Sequence, residues 1–412
     1  MTTVPLKILI IGLNHAPEQI GIGPYTAGLA QGLSALGCTV EVIAGKPYYP
    51  EWRPRPGPSG VTRAEEGGTT VWRCPHYIPA RPSGAKRILH YLSFAARALP
   101  VAWSRARALR PDVVIAIAPA LLAAPTALLA ARRAGAASWL HIQDFEVEAA
   151  VATGLLGDGL AARLAGRFES AVLGRFDRVS SISRPMVARA EAKGVPAGRA
   201  VELRNWAEDS LAVTDAGRAA LKRELGLPDG RIALYSGNLA MKQGIGILAE
   251  AAGKLRHRDD ITFLVCGEGT GREDLQRACA GLGNVLIRGL QPRERLGELL
   301  SLADVHLLPQ IAGAADLVLP SKLTNMLASG RPVVATAAMG TALFDEVDGC
   351  GIVTPPGDAS AFSAAIEALI DDSHLADRLG RAARERAHER WSRTAILTRF
   401  HAELVELAGA GR

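Results

Sequence analysis

The sequence predicts an α/β protein made of two Rossmann-like, doubly wound parallel-sheet domains facing a central cleft. Three observations support this. Short apolar runs, each closed by glycine or a turn residue, alternate with helical segments, as expected of parallel strands buried on both faces. One βαβ arrangement occurs twice, first at Lys7 and again at Arg231. The length of 412 residues suits two domains at roughly 100 to 200 residues each, and an apolar fraction of 48% supplies a core to both.

The first half opens with a strand from Lys7 to Gly12, followed by Asn14, the turn residues Ala16-Pro17, Gly21-Ile22-Gly23 and a helix from Tyr25 to Leu36. A strand from Thr39 to Ala44 stops at Gly45, and buried strands follow at Val113 to Ile117, Ser138 to Ile142 and Val179 to Ile182. Val113 to Ala131 carries no charge and approaches the length of a membrane span. Pro119 and Pro125 divide it, which favours a strand feeding an alanine-rich helix.

The second half repeats the plan. A strand from Arg231 to Tyr235 runs into Gly237-Asn238, Lys242, Gly244-Ile245-Gly246 and a helix from Leu248 to Leu255. Strands follow at Ile261 to Cys266, which stops at Gly267, and at Val285 to Ile287, Val305 to Leu308 and Val333 to Ala335. Between the halves, Leu203 to Asp209 leaves the helical pattern, so domains are expected at 1–205 and 206–390. Amphipathic helices at Ala359 to Ile370 and His374 to Arg390, then Trp391 and a helix from Thr394 to Leu407, close the chain. Periodicity does not say which domain the last helix joins.

The net charge of +6 is too small to argue for nucleic acid, but it is unevenly placed. Residues 1–206 hold 24 basic and 14 acidic side chains, and the remainder holds 23 and 27. The cysteines Cys38, Cys74, Cys266, Cys279 and Cys350 are scattered and odd in number, without C-x-x-C spacing. They read as buried hydrophobes in a reducing compartment. Lys7 and the short apolar run after it do not make a signal peptide, so a cytoplasmic protein is expected.

Open α/β sheets bind ligands beyond the carboxyl ends of their strands. The turns at Gly12, Gly21 to Gly23, Gly237 and Gly267 to Gly269 lie there, where glycine lets main-chain N–H groups approach an anion. A phosphate-bearing ligand is expected. A dinucleotide fingerprint is missing, because Gly12 has no G-x-G-x-x-G partner and Arg272 stands where the third glycine of Gly267-Glu-Gly-Thr-Gly271 would be; no P-loop occurs either. Lys242, after a strand and a glycine turn, is placed to meet a diphosphate. Asp316 precedes a loop, helix and strand in which Ser321 is expected to cap the helix and Lys322, Thr324 and Asn325 occupy its first turns.

These residues also carry a resemblance that spans almost the whole chain. Asn14 to Thr26, Pro47 to Trp52, His141 to Glu148, Ser236 to Leu239 with Lys242-Gln-Gly, and Leu319 to Gly330 resemble the colanic acid biosynthesis fucosyltransferase group within family 4 of the retaining glycosyltransferases. The resemblance implies a GT-B fold with the donor sugar nucleotide held by the C-terminal domain. It also implies that the segment 391–412 packs back on the N-terminal domain, and that transfer proceeds without a bound metal or cofactor. Lys242 matches the family's diphosphate-binding lysine, Gly21 and Gly23 its N-terminal glycine loop, and Asp144, with His141 nearby, the strand end facing the acceptor. Gly237, Asn238, Gly267, Gly269, Asp316, Ser321, Lys322 and Asn325 complete the expected donor site. Two departures stand out: Asn238 replaces an arginine common in relatives, and Leu317 and Asn325 replace paired glutamates. Lys322 is expected to supply the missing charge.

The implied function is transfer of a hexose, with fucose from GDP-fucose as the leading donor, to a lipid diphosphate-linked glycan in exopolysaccharide biosynthesis. The donor base, GDP or UDP, is open. Two other readings stand beside it: a sugar-nucleotide epimerase, and a non-catalytic glycan- or lipid-binding partner of an assembly complex. From Arg73 to Arg110 there are eight basic residues and no carboxylate, interleaved with Tyr91, Leu92, Phe94 and Trp103. That composition suits an anionic inner-leaflet surface, so the protein is expected to be cytoplasmic and peripheral on the inner membrane.

Overall fold

The computed structural model describes residues 5–18, 21–148, 159–207, 213–240, 243–311 and 319–410. The chain divides into two compact units, Met1–Arg204 with Thr394–Arg412, and Asn205–Arg393.

In the first unit β1 (Lys7–Gly12), β2 (Thr39–Gly45), β3 (Thr62–Glu66), β4 (Thr69–Cys74), β5 (Val113–Ala118), β6 (Ala137–Ile142), β7 (Arg178–Ser181) and β8 (Ala200–Glu202) form one sheet. Its order is β3-β4-β2-β1-β5-β6-β7-β8, parallel throughout except for the β3–β4 hairpin. The parallel strands are the continuous apolar runs of the sequence. Ile8, Leu9 and Ile10, and Val113, Val114 and Ile115, are fully enclosed because helices cover both sheet faces. Between β5 and β6 the uncharged stretch becomes a strand, a turn through Ala118-Pro119 and the helix Ala124–Ala134. Among the described residues no helix is long and apolar enough to cross a membrane.

Four strands fall outside the predicted set: β3, β4, β8 and β14 below. β3 alternates half-buried and exposed residues at the sheet edge, so it lacks the apolar run by which the others are recognised. Gly67 and Gly68, both at positive φ, make its hairpin turn.

The second unit contains β9 (Arg231–Ser236), β10 (Ile261–Cys266), β11 (Val285–Arg288), β12 (Val305–Leu308), β13 (Val333–Thr336) and β14 (Gly351–Thr354). The order β11-β10-β9-β12-β13-β14 is fully parallel. Chain direction across the sheet reverses between β9 and β12, which is the switch point where open α/β sheets leave a crevice for a ligand. Asp358 and Asp372 each accept a main-chain N–H three residues on at 2.9 Å, starting the helices Ala359–Asp371 and Ser373–Trp391.

The last helix, Arg393–Ala410, is explained by two contacts. The Phe400 ring meets Trp139 of β6 edge to face at 4.8 Å, and Leu397 covers Gly32 of the helix Gly23–Ala35, where a Cβ would lie 2.2 Å from Leu397 Cδ1. Burying Phe400 contributes about 2 kcal/mol to this seat. All five cysteines are buried and unpaired, and burial pushes the Cys74 and Cys266 thiols up to about 12.

Candidate functional site

In the second unit the site grows from the turns that end β9 and β10. Gly237 leaves β9 at φ 145° and donates its N–H to Cys266 at 2.9 Å. The Leu239 N–H bonds the Glu268 carbonyl at 2.9 Å, and the Gly271 N–H bonds the Leu239 carbonyl at 2.7 Å, so the two turns are laced together. A Cβ at Gly267 would stand 1.9 Å from the Gly237 carbonyl oxygen, and one at Gly269 would stand 2.5 Å from Asn238 Oδ1. The glycines are required by the approach of one turn to the other. Arg272 donates to the Gly267 carbonyl and to Glu268, both at 2.7 Å, and so supports the turn from behind.

Above this turn lies Lys322, the first residue of the helix Lys322–Ala328. Its Nζ sits 4.0 Å from the centroid of the Tyr235 ring and its stem runs past Gly237. The nitrogen is buried and has no hydrogen-bond acceptor among the described residues. Burial alone lowers its pKa from 10.5 to about 7. The Tyr235 hydroxyl donates to the Asn238 carbonyl at 2.7 Å, tying the ring beneath the ammonium to the glycine turn. Sequence reasoning missed Tyr235 because an aromatic residue inside an apolar strand reads as core; its place one turn ahead of Gly237 was the available signal.

Asn238 is exposed on the turn and Asn325 is half-buried on the helix. The cap expected at Ser321 is not formed. Its backbone is already helical at φ −57° and ψ −25°, so its side chain makes no cap bond, and its carbonyl accepts from the Thr324 hydroxyl at 2.9 Å instead. Lys242 and Asp316 lie outside the described residues. Gln310, absent from the predicted set, follows β12 at the switch point. Its main chain meets Gly244, and its buried Oε1 has no hydrogen-bond partner among the described residues.

In the first unit the loop after β1 is organised by Glu18. Its carboxylate accepts the N–H groups of Tyr48 and Tyr49 at 3.0 Å and the Asn14 amide at 2.9 Å. Gly21 and Gly23 fit against this loop, with hypothetical Cβ atoms 3.2 Å from the Tyr49 ring and 3.0 Å from Glu18 Cβ. Asp144 is exposed just past β6.

His141 is buried in the sheet. It lies inside β6, with Nδ1 2.9 Å from the Ser180 hydroxyl and Nε2 2.9 Å from Gln143 Nε2, and burial pushes its pKa down to about 3. Both ring nitrogens face partners of the first unit, Ser180 of β7 and Gln143 just past β6. Beside Asp144, Glu146 is the carboxyl that sequence reasoning overlooked. It accepts the Leu121 N–H at 2.7 Å and meets the Tyr91 hydroxyl, and burial raises its pKa.

The basic stretch divides in two. Arg105 forms a bidentate pair with Glu41 at 2.7 and 2.8 Å, and Arg73 binds Glu66 and the Ala16 carbonyl at 2.7 Å. These are internal fastenings. Lys86, Arg97, Arg107 and Arg110 are exposed. Among the described residues, no group of three or more His, Cys, Asp or Glu side chains is placed to hold a metal ion.

Residues 21–206 match the model of the Glycosyl transferase 4-like domain, and residues 230–372 match that of Glycosyl transferases group 1. The chain is 40% identical over 408 residues to the colanic acid biosynthesis glycosyl transferase WcaI of Escherichia coli (strain K12), covering 96% of this chain and 98% of that one. It is 32% identical over 191 residues to the alpha-D-kanosaminyltransferase of Streptomyces kanamyceticus, covering 45% of this chain and 48% of that one. Among solved structures, the fold is similar to sucrose-phosphate synthase from Thermosynechococcus elongatus, with a TM-score of 0.74, 20% identity and coverage of 98% of this chain and 100% of that one. It is also similar to Anabaena HepE in complex with UDP, with a TM-score of 0.70, 16% identity and coverage of 97% and 100%.

Proposed function

The chain belongs to glycosyltransferase family 4 and has the GT-B fold, and from that premise we propose that it moves a hexose from a nucleoside diphosphate sugar to a lipid diphosphate-linked glycan with retention of anomeric configuration. Family membership displaces the epimerase and non-catalytic readings. The name of the WcaI relative points to colanic acid biosynthesis, which supports a bacterial exopolysaccharide as the product; fucose from GDP-fucose is the donor we propose.

The observation that carries this reading is the buried Lys322 side-chain nitrogen, which lies beside the Gly237 turn without an acceptor among the described residues. During transfer the bond between the sugar C1 and the diphosphate oxygen breaks, and negative charge collects on the departing diphosphate. A cation in place once the donor has bound stabilises that charge without reorganising at the moment of reaction. In this reading Lys322, with Lys242 and the main-chain N–H groups of the turns, neutralises the leaving group without a metal ion. The Asn325 amide is assigned to ribose hydroxyls as a neutral hydrogen-bonding group.

The same proposal places the protein on an anionic membrane. The helix Gly84–Leu109 exposes Ile88, Leu89, Leu92, Leu99 and Trp103 within one angular sector, and exposed Lys86, Arg97 and Arg107 lie alongside. Apolar side chains beside basic ones suit insertion at the headgroup boundary of an anionic leaflet.

Isothermal titration with GDP, UDP and GDP-fucose, followed by a transfer assay onto a lipid-linked acceptor, tests the reading. GDP-fucose is expected to bind and to be consumed only when acceptor is present. Failure of every nucleotide to bind would end it.

A further inference from the structure

We propose that donor binding is proton-coupled in this protein, with Lys322 Nζ taking up a proton as the nucleoside diphosphate enters. The proposal rests on the donor site described above. Lys322 has its Nζ enclosed, on the face of Tyr235, with no oxygen or nitrogen among the described residues accepting from it. An ammonium there loses its hydration and recovers only the attraction of an aromatic face, about 1 to 2 kcal/mol. An unpaired buried charge costs more than that, so the empty site holds a mixture of amine and ammonium near neutral pH. A diphosphate beside the same nitrogen reverses the balance, because two strong acceptor groups of opposite charge favour the protonated form.

The described surroundings offer no competing charge. Among the described residues, the titratable group packed against Nζ is the Tyr235 hydroxyl, which donates to the Asn238 carbonyl. Gly237 and Asn238 are neutral, and the helix Lys322–Ala328 contains no other ionisable side chain. Glu268, in the neighbouring turn, is bonded to Arg272 at 2.7 Å. Lys242 and Asp316 lie outside the described residues.

Titration of the whole protein with GDP at pH 8, in buffers of different ionisation enthalpy, counts the protons. A phosphate ionising near pH 6 is already fully charged there, so its own titration is removed. Uptake of most of a proton per GDP is expected at pH 8, since burial lowers the Lys322 pKa to about 7. Lys322→Arg, which remains charged, should bind GDP without uptake, and Lys322→Met should bind more weakly, also without uptake. GDP binding to the native protein without proton uptake would overturn the coupling and leave the donor site standing. Equal uptake by Lys322→Met would do the same. If neither GDP nor UDP binds, the donor site and the coupling fall together.

Discussion

The α-carbon of Gly267 faces the carbonyl oxygen of Gly237 so closely that a methyl group on it would stand 1.9 Å from that oxygen. The two residues end adjacent strands, and their approach joins the turns after β9 and β10. Gly267→Ala must push the turns apart, and overpacking of this kind costs about 1 to 3 kcal/mol. Lower stability by urea unfolding and at least tenfold weaker nucleotide binding are expected. Unaltered binding would show that the turn does not shape the donor site.

Tyr235 contributes its ring and its hydroxyl to separate partners. Tyr235→Phe should cost about 1 kcal/mol through the lost bond to the Asn238 carbonyl, while keeping the ring under Lys322. Tyr235→Leu removes the ring and should weaken GDP binding further, by about three- to tenfold. Equal affinities for the two variants would argue against a role for the aromatic face.

Lys322 predicts a dependence of stability on pH. Its pKa is lowered in the folded state from 10.5 to about 7, so between these values the unfolded chain holds a proton that the native protein has released. Stability therefore rises with pH across that window, by at most about 1.4 kcal/mol per pH unit from this group. Urea midpoints of the native protein and Lys322→Met should diverge steadily from pH 7 to 9, the native protein gaining. Parallel profiles would contradict the buried placement of the ammonium.

His141 is expected to act on structure and not on protons. Its replacement by leucine leaves Ser180 and Gln143 without their ring partners and should cost about 1 to 3 kcal/mol of stability. The pH profile of kcat/KM between pH 5 and 8 should keep its shape, because burial already holds the ring neutral there. Loss of a limb from that profile would restore a catalytic role.

The helix Gly84–Leu109 provides the membrane test. Native protein should bind vesicles of anionic lipid more than neutral ones, with binding falling as salt rises. Leu92→Asp with Trp103→Asp, both on the exposed sector, should reduce vesicle binding at least tenfold and leave GDP affinity unchanged. Equal binding to neutral and anionic vesicles would remove the proposed surface.

Much of the fold was legible from individual segments. Val113 to Ile117 and Ile261 to Cys266 are recognisable because a parallel strand buried on both faces can contain almost nothing but apolar residues. β3 was not, because an edge strand facing solvent on one side carries charge and looks like a loop. In the site, the glycine turns and Lys322 could be named from spacing. The neutral core state of His141 and the burial of the Glu146 carboxyl could not, since each depends on neighbours far along the chain.

The sequence by itself determined the two parallel sheets, the turns at their carboxyl ends and the apolar-basic composition of the helix Gly84–Leu109, all of which follow from periodicity and local backbone preference. Only tertiary structure decided where the last helix rests and what surrounds Lys322. Phe400 finds Trp139, and Lys322 finds Tyr235, across long separations in the chain. Burial and electrostatic environment are set by those meetings, and a lysine becomes a group poised near neutral pH only when the fold removes its water and offers no anion in return.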